Sequence, residues 1–114
     1  MQVQFNSDSS VMGTENVAER IEAQLRHRLA RFADRLTRLE VHVSDGNGSK
    51  HGAADKHCMI EARIRGGRPI GVTGKAADVD AAARIAGNTL AQRLERHLGK
   101  AERHKHDPSP AKVL

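Results

Sequence analysis

Among residue types able to do chemistry, the chain offers one cysteine, Cys58, with His57 beside it. Both fall in an alternating segment, HCMIEARIR at 57–65, whose period of two sends neighbouring side chains to opposite faces. Cys58 shares its face with Ile60, Ala62 and Ile64, where a free cysteine behaves as a small hydrophobe, and His57 points the other way. A thiol–imidazole nucleophile is not expected. His42 and His57 are candidate neighbours on the outward face, and His104 with His106 makes a short patch, but zinc needs about three or four converging ligands. Glu40 and Glu61 face one another across two strands, with Arg38 and Arg63 to balance them. The glycines at 46, 48, 52, 66, 67, 71 and 74 form neither GxGxxG nor GxxxxGK[ST]. Gly74 before Lys75 offers one backbone phosphate contact at most. The expectation is a protein that is not an enzyme, with no metal, no cofactor and no small-molecule substrate.

The basic residues remain. Lys and Arg number 19 against 14 Asp and Glu, and the excess is uneven. Residues 1–62 hold eight basic and nine acidic groups, whereas 63–114 hold eleven and five. Such asymmetry attracts a polyanion. The candidate RNA-binding residues are Arg20, Arg28, Arg31, Arg63, Arg65, Arg68, Lys75, Arg93, Arg96, Lys100 and Arg103. Arginine's planar fork suits phosphates, and spaced cations read backbone geometry without exposed bases. Trp and Tyr are absent and Phe occurs twice, so the aromatic platform of a single-strand reader is missing.

The elements that must position these groups follow from periodicity. QVQFN at 2–6 alternates as a half-buried strand, with Val3 and Phe5 inward. Thr14 is placed to cap a helix whose apolar stripe is Val17, Ala18, Ile21, Leu25, Leu29 and Phe32. Glu15, Glu19 and Glu22 border one edge of that stripe, and Arg20, His27, Arg28 and Arg31 the other. TRLEVHVS at 37–44 and the segment at 57–65 alternate again, joined by a glycine-rich connection at 45–55. Gly66 and Gly67 permit a tight turn into a strand at 69–74, opened by Pro69. Asp78 is a candidate N-cap for a second helix reaching about Leu98, on the apolar line Val79, Ala83, Ala86, Leu90 and Leu94. Arg93, Arg96, Lys100 and Arg103 form its basic flank if it continues, whereas Gly99 is placed to stop it.

The order β-α-β-β-β-α, with one polar face per strand and one apolar stripe per helix, predicts an α+β two-layer fold. A four-stranded mixed sheet carries both helices on one face, similar to a double-stranded RNA-binding domain. The first helix is a right-handed crossover, which makes strands one and two parallel, and the later hairpins are antiparallel. Residues 1–103 are expected to form one α/β domain and 104–114 a flexible basic tail. A lone cysteine and the lack of a long apolar run or leader point to the cytoplasm, with no membrane partner.

On these residues the chain resembles the short ribosome-hibernation proteins, the hibernation-promoting factor and ribosome-associated translation inhibitor family, over approximately 1–103. The carriers are QVQFNSDS at the start, FADRLTRLEVHVSD at 32–45, CMIEARIRGGRPIGVTG at 58–74 and AADVDAAARIAGNTLAQRLERHLGK at 76–100. The resemblance implies a domain in the cleft between head and body of the small ribosomal subunit. There it contacts 16S rRNA in the assembled ribosome, overlaps the messenger and transfer RNA positions, and suppresses translation in starvation or stationary phase. It places the family's basic positions near Arg93, Arg96 and Lys100, and near Arg28 and Arg31. Asp80 stands where many members have an aromatic residue, and Thr89 where many have Lys. Long members carry a second, dimer-forming domain with no counterpart in these residues. The alternatives are a double-stranded RNA-binding module, whose α-β-β-β-α order is contained in this one, and a non-catalytic protein-interaction regulator.

Overall fold

Strict alternation in three segments and a 3.6-residue period in two others decide the architecture of the computed structural model. It describes residues 1–7, 16–45 and 56–106, the side chains of 99–106 excepted. The elements are β1 (Gln2–Ser7), α1 (Val17–Arg28), a 3₁₀ turn (Ala30–Phe32), β2 (Leu36–Asp45), β3 (Lys56–Ile64), β4 (Ile70–Ala76) and α2 (Val79–His106). The strands lie side by side in chain order, β1 parallel to β2 and the remaining pairs antiparallel, as the crossover argument requires. The predicted α+β two-layer fold is therefore the observed one.

Register fixes both faces. Phe5, Val41, Ile60 and Val72 form one row across the sheet beneath the helices, and Asn6, His42, Met59 and Thr73 form the adjacent row on the open face. Ile21, Leu25 and Leu29 from α1 and the turn after it, with Leu90 and Leu94 from α2, complete a core that includes Leu39, Val41, Val43 and Ile60. Two glycines set the layer spacing. A Cβ on Gly74 would lie 2.3 Å from the Ala82 carbonyl oxygen and 2.6 Å from the Ala86 nitrogen, so α2 rests directly on β4 there. At Gly87 a Cβ would meet Leu25 and Arg28 of α1 at 3.0 and 3.2 Å.

Element ends agree with the sequence at some positions and differ at others. Asp78 caps α2 as expected, its carboxylate accepting from the Ala81 N–H at 2.8 Å. The candidate cap Thr14 lies outside the described residues, and Asn16, with φ of 70°, stands at the N-cap position without a side-chain cap bond. The first helical stripe ends in the 3₁₀ turn, which still buries Phe32. The last strand begins at Ile70 and runs to Ala76. Gly99 does not stop α2, which continues to His106 and so crosses the expected domain–tail boundary. The connection at 46–55 and the tail residues 107–114 lie outside the described residues.

Candidate nucleic-acid interface

β3 ends in Ile64, the chain reverses through Arg65, Gly66, Gly67 and Arg68, and β4 departs from Ile70. Gly66 takes φ of 73°, open to glycine at little cost, and the Gly67 N–H closes the turn on the Ile64 carbonyl at 3.0 Å. Only Ala77 and Asp78 separate β4 from α2, so the helix must run back along the strand. From Ala86 to Arg96 is ten residues, roughly 15 Å of helix, and from Gly74 to Arg68 is six residues, roughly 20 Å of strand. The late turns of α2 therefore come abreast of the hairpin, which brings Arg93 and Arg96 to the end of the molecule holding Arg65 and Arg68. All four are exposed and without side-chain partners among the described residues. The Arg65 N–H donates to the Arg35 carbonyl at 2.8 Å, which adds Arg35 at the start of β2 to this end.

The basic margin of α1 has a different environment. α1 and α2 lie parallel, and polar rungs join them: Arg20 to Asp80 at 2.8 Å, Arg28 donating to the Asn88 Oδ1, and Arg31 to Glu95 at 2.7 Å. Arg31 also lies 4.7 Å from the centre of the Phe32 ring. Arg20, Arg28 and Arg31 thus face α2 with partners in place. The ion pairs are exposed, so each contributes at most about 1 kcal/mol and opens readily.

The remaining candidates are dispersed. Arg63 lies on the open sheet face, 3.3 Å from Glu61 and 3.7 Å from Glu40, with Arg38 3.2 Å from Glu40, the charge balance the sequence anticipated. Lys75 sits at the opposite end of β4 from Arg68. Lys100 and Arg103 belong to the last turns of α2, where side chains are not described. Arg35 and Arg84 are further cations outside the sequence candidates. Arg84 is exposed on α2 between Asp80 and Asn88, and its i+4 spacing from Asp80 was the available signal.

Cys58 is fully buried and desolvation pushes its thiol up to about 12, so a thiolate is strongly disfavoured. Among the described residues no three His, Cys, Asp or Glu side chains are grouped to hold a metal ion. No described helix is long and apolar enough to cross a membrane.

Residues 7–102 match the family described as Sigma 54 modulation protein / S30EA ribosomal protein. Among solved structures, the N-terminal domain of Protein Y from Thermus thermophilus superposes with a TM-score of 0.67 at 22% identity, covering 85% of this chain and 99% of that one. A ribosomal subunit interface protein from Coxiella burnetii superposes with a TM-score of 0.64 at 15% identity, covering 87% and 99%. No curated protein sequence matches the chain.

Proposed function

The chain belongs to the Sigma 54 modulation protein / S30EA ribosomal protein family, and from that premise we propose that it is a ribosome hibernation factor of the cytoplasm. It binds the small subunit in the messenger and transfer RNA channel and inhibits translation by occupying it. The mechanism is steric and makes no bonds. The folded domain enters an RNA-lined cleft, its cations neutralise 16S rRNA phosphates, and the filled channel cannot accept messenger or initiator transfer RNA.

The observation that carries this reading is the convergence of Arg65 and Arg68 from the β3–β4 turn with Arg93 and Arg96 from α2, all without intramolecular partners among the described residues. Unpaired guanidinium groups on one end of a rigid domain suit a phosphate-lined surface, and a domain needing no open base suits structured RNA. Lys100 and Arg103 lie further along α2, Arg63 and Lys75 reach phosphate from the two outer rows of the open sheet face, and Arg20, Arg28 and Arg31 contribute once their rungs open.

The test is sedimentation with small subunits, large subunits and intact ribosomes across a salt series. Four phosphate contacts weaken binding roughly 50- to 150-fold between about 50 and 200 mM salt. Co-migration with small subunits that fades at this rate is the expected result. Affinity indifferent to salt would refute the phosphate mechanism, and preference for isolated RNA duplexes would assign the chain to the double-stranded RNA-binding class.

A further inference from the structure

The open face of the sheet differs in character from the rest of the molecule. Its rows run Gln2–Arg38–Arg63, Gln4–Glu40–Glu61–Gly71, Asn6–His42–Met59–Thr73 and Ser44–His57–Lys75. Across the middle rows lies a shallow depression of about 580 Å³ lined by Asn6, Glu40, His42, Met59, Glu61 and Thr73, with Gly71 at its β4 side. Among the described residues no Lys or Arg lines it, although the chain carries a net charge of +5. Met59 is 53% exposed within it, an apolar surface that the core does not use. Nothing comes within 4 Å of a Cβ built on Gly71, so the missing side chain there leaves the trough open.

The carboxylates are incompletely matched. Glu40 and Glu61 are direct cross-strand partners, an arrangement in which like charges oppose each other. Arg38 and Arg63 answer from the next row, yet the Glu61 carboxylate receives only a 3.3 Å contact from Arg63, leaving most of its acceptor capacity facing the trough. An RNA strand laid along this face would carry its phosphates over both carboxylates. A cationic side chain meets the opposite situation, its aliphatic stem lying on Met59 beside the Gly71 gap and its head reaching Glu61 and Glu40.

We propose that the middle rows of the open sheet face, between the outer rows that hold Arg63 and Lys75, are a second interaction surface, which docks an extended protein segment bearing arginine or lysine. Chain reversal at the far end of β3 and β4 keeps the two surfaces apart, so RNA and a basic peptide are held at the same time.

The test follows the Met59 methyl group by NMR in the full chain. A capped six-residue peptide of alternating alanine and arginine is titrated, with a peptide of alternating alanine and glutamate and a uridine hexamer alongside. The expected result is a saturable Met59 shift with the arginine peptide alone. Glu61→Gln should weaken it about tenfold, the loss of one charge-assisted contact. Gly71→Val should fill the trough and abolish the shift while the protein unfolds at the same or a higher temperature. No Met59 response to the arginine peptide, an equal response to the uridine hexamer, or unchanged binding by Gly71→Val would each overturn the proposal. The titration needs no ribosome, so its outcome is independent of the hibernation reading.

Discussion

Substituting Gly74 with alanine tests how closely the basic turns of α2 depend on the sheet beneath them. The new methyl would stand 2.3 Å from the Ala82 carbonyl oxygen and 2.6 Å from the Ala86 nitrogen, both backbone atoms that no rotamer change can move. Ordinary contact begins about 1 Å further out, so α2 must lift by a comparable amount over its first two turns. Overpacking of this kind costs roughly 1–3 kcal/mol, and the immobile neighbours put Gly74→Ala towards the upper end. Replacing a strand glycine returns roughly 0.5–1 kcal/mol, which leaves a net loss near 2 kcal/mol. For a chain of this length that lowers Tm by roughly 10 °C. Gly71→Ala is the control, since its methyl meets nothing within 4 Å and should raise Tm by a few degrees. Thermal unfolding followed by circular dichroism reads both. The lifted helix also displaces Arg93 and Arg96 from Arg65 and Arg68, so Gly74→Ala should bind small subunits more weakly even where it remains folded. Equal stability of the two variants would refute the close packing of α2 on β4.

Removing Arg93 and Arg96 together should flatten the plot of log affinity against log salt by roughly 1.4–1.8, the contribution of two phosphates. Removing Arg20 and Arg31 should change it less, because each already has a carboxylate partner. Asp80→Asn or Glu95→Gln, made singly, releases one of those arginines, so small-subunit affinity at low salt should rise several-fold and beyond Glu19→Gln, which changes net charge equally without opening a rung. Cys58 should resist alkylation at pH 8 until the protein is unfolded in urea, since folding raises its pKa to about 12 from 9.0. The folded state keeps this proton when the unfolded state has lost it, so the contribution to stability is complete below pH 9 and is lost as pH climbs towards 12.

The layers were legible because each strand's inward face is uniformly apolar: Leu39, Val41 and Val43 in β2, and Cys58, Ile60, Ala62 and Ile64 in β3. Period-two alternation permits one register relative to a core, and the crossover rule then fixes the direction of β1. The cross-strand set of Arg38, Glu40, Glu61 and Arg63 was legible for the same reason. The rungs were not. Helical periodicity gives the angle of Arg20, Arg28 and Arg31 from the core but not what stands beside that angle, and their partners lie 60 or more residues away. Asp80 becomes intelligible as the partner of Arg20 only in the folded chain. Of the two outcomes the sequence left open at Gly99, the helix continues, because glycine's helix penalty is about 1 kcal/mol, small enough for a 28-residue helix to absorb.

The placement of the cations also bears on what kind of contact they make. α1 ends at the hairpin end of the domain and α2 passes it still running in the same direction, so neither helix presents its positive N-terminal dipole there. Helix-end amides, the usual backbone means of holding phosphate, point away from the surface, and the Gly66–Gly67 turn spends one N–H on the Ile64 carbonyl. Under the proposed function, binding at this end rests on side-chain charge. Arg93→Lys with Arg96→Lys should keep the salt slope, because charge is conserved, yet lose affinity where a planar fork engages two phosphate oxygens. Sedimentation at several salt concentrations separates the two effects: parallel lines displaced to weaker binding support side-chain recognition. A slope that collapses on this charge-preserving exchange would mean that something other than phosphate neutralisation governs the salt dependence.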